Sequence, residues 1–386
     1  MARGGGKRRR PVTGALEKVF MHKLMATSTM LDHELSELRL LVERQTGLVL
    51  DCSNNALADR VEDFIDAQDL GSSAVLLDRL RSSEQDPCTL PSLLNGLVKT
   101  DAGFFRHSGA LNALTRQVLP QLWNRKSADG PGPIRMWSAG CGTGEETYSI
   151  AMAVCDAVNP ANINALSNGN GSAPGKGRAT ARNGGVADNF SIAGSSTAQP
   201  VKLNPGCSVH IVGSDLLPQS IETADRGVYP QSAIDGLPPA TIKNYFSKIS
   251  SPGTPLSAVE PGSGDETNSG SEPASEEATA VSASVAHMLV KPRLRSLVTF
   301  NCMNLARPGY IGRFDCIFCM DVLPHFSRAQ RLATLERLHL YLEPGGYLFL
   351  SQTEKLSSPN LNFRSETFDG YTFHRKPLAA SAAYGR

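Results

Sequence analysis

The sequence lacks any apolar run approaching the roughly 20 residues that a membrane-spanning helix needs, which argues against a transmembrane segment. Its basic start, Lys7-Arg8-Arg9-Arg10, has no apolar stretch behind it and so does not read as a secretory signal. Net charge is also scarce. The 38 Lys and Arg nearly cancel the 37 Asp and Glu, leaving +1 and no global electrostatic case for nucleic acid. Aromatic residues make up only 6%, whereas Gly (35) and Pro (24) are plentiful, a mixture that suggests ordered domains diluted by low-complexity segments. The eight cysteines are scattered. Cys316 and Cys319 form a C-x-x-C inside the apolar run "FDCIFCMDV". Three positions apart on a strand, their side chains point to opposite faces, which suits buried thiols better than a redox pair or a metal site. Reduced thiols without a signal segment imply the cytoplasm.

At 386 residues the chain has room for about two domains. Residues 1–30 read as a tail that is disordered or partly helical. In "LDHELSELRLLVERQTGLVLD", Leu31, Leu35, Leu38, Leu41 and Val42 fall on one helical face, and Gly47 supplies a stop. "NALADRVEDFIDAQDL", "SAVLLDRLRS" and "LPSLLNGLVKTDAGFFRHSGALNALTRQVLPQLW" continue the helical pattern. A small helical domain with its linker is therefore expected over 31–125.

Residues 126–386 change character. "IRMWSA" reads as a strand, the glycines after it as a turn, and "EETYSIAMAVCDAV" as a helix. "SVHIVGSDLL", "FDCIFCMDVL" and "EPGGYLFLSQTE" are further strands, separated by the helical "PQSIETADRGV" and "SRAQRLATLERLHLYL". Strands alternating with helices argue a doubly wound α/β sheet. Two stretches interrupt it. Residues 159–206 are rich in Gly, Asn, Ser and Ala, and residues 250–286 are acidic with no Lys or Arg before the second ordered segment. Neither has the bulky apolar residues to offset the entropy of ordering, so both read as disordered insertions.

The ligand site emerges from spacing. Gly140-x-Gly142-x-Gly144 makes a tight turn that lets backbone approach a nucleoside, and such folds need an acidic residue about 20 positions on to hold ribose hydroxyls. Asp215 lies 71 positions beyond Gly144. Without the roughly 48-residue low-complexity block the gap is about 23, which matches that spacing. Two carboxylates, Glu145 and Glu146, open the following helix, where a pyrophosphate would need positive potential. S-adenosylmethionine carries no phosphate and has a cationic sulfonium and amino group, so it suits this turn better than a dinucleotide. A second reading of Glu145 is that it only favours the helix dipole.

These residues resemble the CheR-type chemotaxis receptor glutamate methyltransferases. The resemblance rests on "FFR" at Phe104–Arg106, "WSAGCGTGEETYSIA", "GSDLLPQSIETADRGVYP", "IFCMDVLPHF" and "LEPGGYLFLSQTEKL", in that order, and spans about residues 31–376 outside the insertions. It implies a class I S-adenosylmethionine-dependent methyltransferase (Rossmann-like) domain preceded by a small all-helical domain, with a small β-subdomain inserted. It further implies methyl transfer from S-adenosyl-L-methionine to glutamates on the cytoplasmic helices of methyl-accepting chemoreceptors. Carried over by position, Arg106 would sit by cofactor and substrate, Glu146 at the methionine end, Asp215 at the ribose, and Asn304 and Leu305 near the adenine.

The sequence departs from the family pattern at Thr100 and Ala102 before F-F-R, at Met320-Asp321, and at His325 in place of a tyrosine. Thr100, Ala102, Met320 and Asp321 fall at cofactor-contact positions, and Arg106 and His325 at catalytic ones. Each has a plainer reading. Arg106 could cap a helix, His325 could be a surface residue after a strand, and Asp321 could cap a turn instead of meeting the adenine amino group. The acidic insertion falls in the β-subdomain where some members bind a receptor tether peptide, so tether binding is not expected here. A substrate carboxylate with a pKa near 4.3 is already ionised at neutral pH, so neither a general base nor a metal cluster is required. Two other functions stay open. One is a weakly active or inactive regulatory protein that binds S-adenosylmethionine; the other is a methyltransferase for a small molecule or RNA.

Overall fold

A computed structural model of the chain describes residues 30–82, 88–98, 102–129, 132–158, 208–249, 286–309, 312–354, 356 and 361–378. The basic tail, the interior of both low-complexity stretches and Thr100 lie outside the described residues. The chain divides into two compact units, Met1–Lys99 and Thr100–Arg386.

Among the described residues the first unit has four helices, Asp32–Thr46, Asn54–Ala67, Ser73–Arg81 and Thr89–Leu97. Their apolar stripes supply a core of Leu35, Leu38, Val42, Leu57, Val61, Leu76, Leu80, Leu93 and Leu94, all essentially inaccessible. Ser53 and Ser72 cap their helices by accepting backbone N–H groups, and Gly47 closes the first helix in the left-handed conformation. Leu31 departs from the expected stripe. It precedes the first helical residue as the N-cap and is exposed, while the helix begins at Asp32.

In the second unit a seven-stranded sheet has the order β6-β2-β1-β7-β8-β10-β9. Its strands are β1 (Ile134–Ala139), β2 (Val209–Asp215), β6 (Val298–Cys302), β7 (Phe314–Cys319), β8 (Leu342–Leu350), β9 (Arg364–Phe368) and β10 (Tyr371–Arg375). The pairs from β6 through β8 are parallel, and β10 turns back antiparallel to both β8 and β9. Every residue of β7 is buried, including both cysteines of the C-x-x-C, which are free thiols. A strand covered on both faces reads as a continuous apolar run.

A separate three-stranded antiparallel sheet joins β3 (Val228–Pro230), β4 (Phe246–Ile249) and β5 (His287–Val290) in the order β3-β5-β4. Ile249 pairs with His287, so the acidic stretch connects two hydrogen-bonded strands of this subdomain. The second unit is thus a Rossmann-like α/β sheet with a small β-subdomain, and the unit before it in the chain is helical among the described residues.

The unit boundary falls after Lys99 instead of near residue 125. The segment Ser108–Asp129 runs as helix, with a π-helical turn at Leu114–Val118, and is tied to the large sheet. Arg125 donates to Gly345 O (2.8 Å), and both Arg125 and Lys126 lie 3.1 Å from the fully buried carboxylate of Asp315 on β7. The continuous helix expected through F-F-R is also broken. Phe104 to His107 form a turn, and Phe105 has φ +56°, a left-handed conformation that ends helical geometry.

Candidate active site

The site lies at the carboxyl ends of the parallel strands, where open α/β sheets place their ligands. β1 ends at Ala139 beside Ser214 of β2, and the glycine turn follows at once. Gly140 N–H and Cys141 N–H both donate to Ser214 O, at 2.8 and 2.9 Å. Gly140 has φ +84°, and a side-chain Cβ there would overlap Val322 Cγ2. Gly144 has φ +97° and lies so close to Ala224 that a Cβ would meet it at 2.7 Å. Only glycine tolerates both constraints.

Asp215, at the end of β2, is brought directly to this turn. Its Oδ2 accepts Gly142 N–H (2.9 Å) and its Oδ1 accepts Leu217 N–H (2.9 Å). Burial pushes this carboxyl up, and those backbone donors pull it back down. The low-complexity stretch therefore separates, in sequence only, two residues that share a hydrogen bond. Asn304 and Leu305 follow β6 on the same side. Met303 N–H donates to Asp215 O (2.8 Å), Asn304 Oδ1 accepts Ala306 N–H (2.8 Å), and Leu305 O accepts from Arg337 (2.7 Å).

The two glutamates separate cleanly. Glu145 is buried and accepts from Thr143 Oγ1 (2.6 Å) at the start of the helix Glu145–Ala157, which is the helix-terminus role. Glu146 instead accepts from Ser138 Oγ (2.6 Å) and sits among charges. Burial pushes its carboxyl up to about 7; Arg106 lowers it, while Asp321 and Glu354 raise it further. Burial likewise raises Glu354, whose two oxygens accept Leu323 N–H (3.1 Å) and Ser351 N–H (2.9 Å).

Arg106 enters from the turn after Phe105. Phe104 packs edge-on against Tyr229 and Phe246, and Phe105 N–H donates to Ser149 Oγ (2.9 Å), which fixes the turn on the helix below. Arg106 Nη2 then meets Asp321 Oδ2 at 2.7 Å, with both side chains more than a third exposed. His107 Nε2 lies 3.2 Å from the same oxygen, and burial holds its pKa below the ordinary histidine value. Asp321 itself has φ +56°. Met320 is buried, with its sulfur 4.0 Å from Tyr371 Oη.

Arg106, Glu146 and Asp321 are thus neighbours, and Gly140, Gly142, Gly144 and Asp215 form one hydrogen-bonded turn. Ala102 is exposed before the F-F-R turn, and His325 is exposed on the three-residue turn Leu323–His325. Four contributors carried no assignment from sequence: Ser138, His107, Glu354 and Tyr371. The first and third were readable as polar residues at or just past the carboxyl ends of β1 and β8. Tyr371 reaches the site only because β10 runs antiparallel to β8.

This arrangement fits a cationic nucleoside. A Cβ on Gly142 would meet nothing within 4 Å, so the turn faces open space beside the Asp215 carboxylate. Glu146, Glu354 and Asp321 gather negative charge that a sulfonium or ammonium would relieve, whereas a pyrophosphate would be repelled. Among the described residues no His, Cys, Asp or Glu cluster could hold a metal ion.

Comparison with known proteins agrees. The family model "CheR methyltransferase, SAM binding domain" matches residues 100–166 and 273–371, beginning where the second compact unit begins. Chemotaxis protein methyltransferase 1 of Pseudomonas aeruginosa is 26% identical over 323 residues, covering 83% of this chain and 89% of the relative. Chemotaxis protein methyltransferase Cher2 of Pseudomonas putida is 24% identical over 328 residues, covering 84% and 90%. The chemotaxis protein methyltransferase of Vibrio parahaemolyticus is 24% identical over 338 residues, covering 86% and 93%. With its glycine turn, its acidic pocket and this matched domain, the chain belongs to the CheR methyltransferase family, whose cofactor is S-adenosylmethionine.

Proposed function

We propose that the protein methylates glutamate side chains on the cytoplasmic helices of methyl-accepting chemoreceptors, producing glutamate methyl esters. When bound, S-adenosylmethionine supplies a methyl group made electrophilic by its sulfonium. Glu146 and its carboxylate neighbours would hold the cationic methionine end, Asp215 the ribose, and Asn304 with Leu305 the adenine side. Arg106 stands at the partly exposed rim, where a guanidinium can take an incoming carboxylate in a two-pronged hydrogen bond. A substrate glutamate is already ionised at neutral pH. The chain's own work is then to orient that anion and strip its water.

The observation that carries this reading is the juxtaposition of the buried Glu146 carboxyl and its neighbours Glu354 and Asp321 with the partly exposed Arg106. Incubation of the protein with methyl-labelled cofactor and receptor cytoplasmic fragments is expected to put label on the fragments that alkali releases as methanol. Alkali-stable label would point to another acceptor atom. A second reading, a cofactor-binding regulatory protein with slow transfer, is favoured by the ion pair that engages Arg106. Calorimetric binding of the cofactor without ester formation would support it. No helix among the described residues is long and apolar enough to cross a membrane, and we assign the reaction to the cytoplasm. Because the acidic stretch is inserted between the paired strands β4 and β5, we further infer that tether-peptide binding is not expected.

A further inference from the structure

Asp321 occupies the guanidinium of Arg106. Its Oδ2 accepts from Arg106 Nη2 at 2.7 Å and lies 3.2 Å from His107 Nε2, so two residues of the F-F-R turn face one oxygen. Both sides of the contact are held in uncommon backbone: Phe105, next to Arg106, and Asp321 each have φ +56°. The Phe105 side is fixed by Ser149 Oγ, and the Phe104 ring by Tyr229 and Phe246. Such conformations persist only where the surroundings enforce them. The pair is nonetheless open to solvent, with side-chain exposures of 36% and 39%, so another carboxylate can reach it. The groups facing Asp321 are Arg106, His107, Glu146 and Glu354.

We propose that Asp321 is a positioning residue that occupies Arg106 as an internal stand-in for the substrate carboxylate. An incoming glutamate must displace Asp321 from the guanidinium, so the chain discriminates against carboxylates that lack further contacts to compensate. The inference rests on the functional reading above for what the displaced group makes way for, but its test does not depend on turnover.

The full-length chain, without cofactor, is titrated with a synthetic helical peptide bearing one glutamate and with its glutamine counterpart. Asp321→Asn keeps the size of the side chain and its tolerance of positive φ while removing the charge; Asp321→Gly is the second variant should the first fold poorly. Relief of a solvent-exposed ion pair predicts about two- to fivefold tighter binding of the glutamate peptide. The glutamine peptide should bind unchanged, and the gain should vanish in an Arg106→Gln background. Equal affinity of wild type and variant for the glutamate peptide, including undetectable binding by both, overturns the proposal. So does a gain that survives Arg106→Gln, since that would reflect only the loss of nearby negative charge. Failure of wild type to methylate receptor fragments would remove the functional reading while leaving this comparison interpretable.

Discussion

Glu146 sets the pH behaviour of the site. Its carboxyl titrates near 7 in the folded chain against an ordinary 4.5, chiefly because it is buried. Between those values the folded chain keeps a proton that the unfolded chain has released, so this group's contribution to stability falls as pH rises from about 4.5 through about 7. A cationic cofactor favours the ionised form. Its affinity is therefore expected to climb between about pH 6 and about pH 8, as measured by calorimetry. Glu146→Gln should bind roughly ten- to a hundredfold more weakly at the upper pH, the loss of a charge-assisted hydrogen bond, and should flatten that climb. The variant's melting temperature should also gain on wild type as pH rises. The family resemblance singled out Glu146 for this part, whereas spacing alone did not separate it from Glu145. Adjacent helical residues point in different directions, and the choice is made only when the helix docks and Ser138 meets Glu146. Asp215 was legible, because the composition of the intervening stretch and the ribose spacing gave the same answer independently.

Among the elements, the turn after β1 and the helix Leu119–Asp129 carry the sharpest stability predictions. Gly140→Ala adds a methyl that collides with Val322 in a left-handed conformation. It is expected to cost about 1–3 kcal/mol, seen as a lower urea midpoint of the cofactor-free protein. Asp315→Ala leaves Arg125 and Lys126 without their buried carboxylate and should cost about 3–5 kcal/mol, again by urea unfolding. Apolar periodicity foretold most helices and parallel strands because each has one face or two to bury. It could not foretell the break at F-F-R. Phe105, at positive φ, donates its N–H to Ser149, and its neighbour Phe104 packs on Tyr229 and Phe246, all of them distant in the chain. Likewise Tyr371 comes beside Glu146 and Glu354 only through the reversal of β10 against β8.

For the whole molecule, the two compact units and the family match both divide the chain at residues 99–100. The low-complexity stretch joins a helix ending near Val158 to a strand paired with β1. Replacing residues 160–206 by a short Gly/Ser linker is accordingly expected to leave calorimetric cofactor affinity within about twofold, since the closure cost of a connection changes only slowly with its length; loss of binding would give the stretch a structural role. The central claim is that the acidic pocket and Arg106 together direct a methyl group to a receptor glutamate. Mass-spectrometric mapping of receptor fragments after incubation with the protein and S-adenosylmethionine tests it most directly. The expected result is an alkali-labile methyl ester on defined glutamates, lost on substituting those glutamates and strongly reduced with Arg106→Gln. Cofactor binding by the wild type with no ester on any receptor glutamate would contradict it.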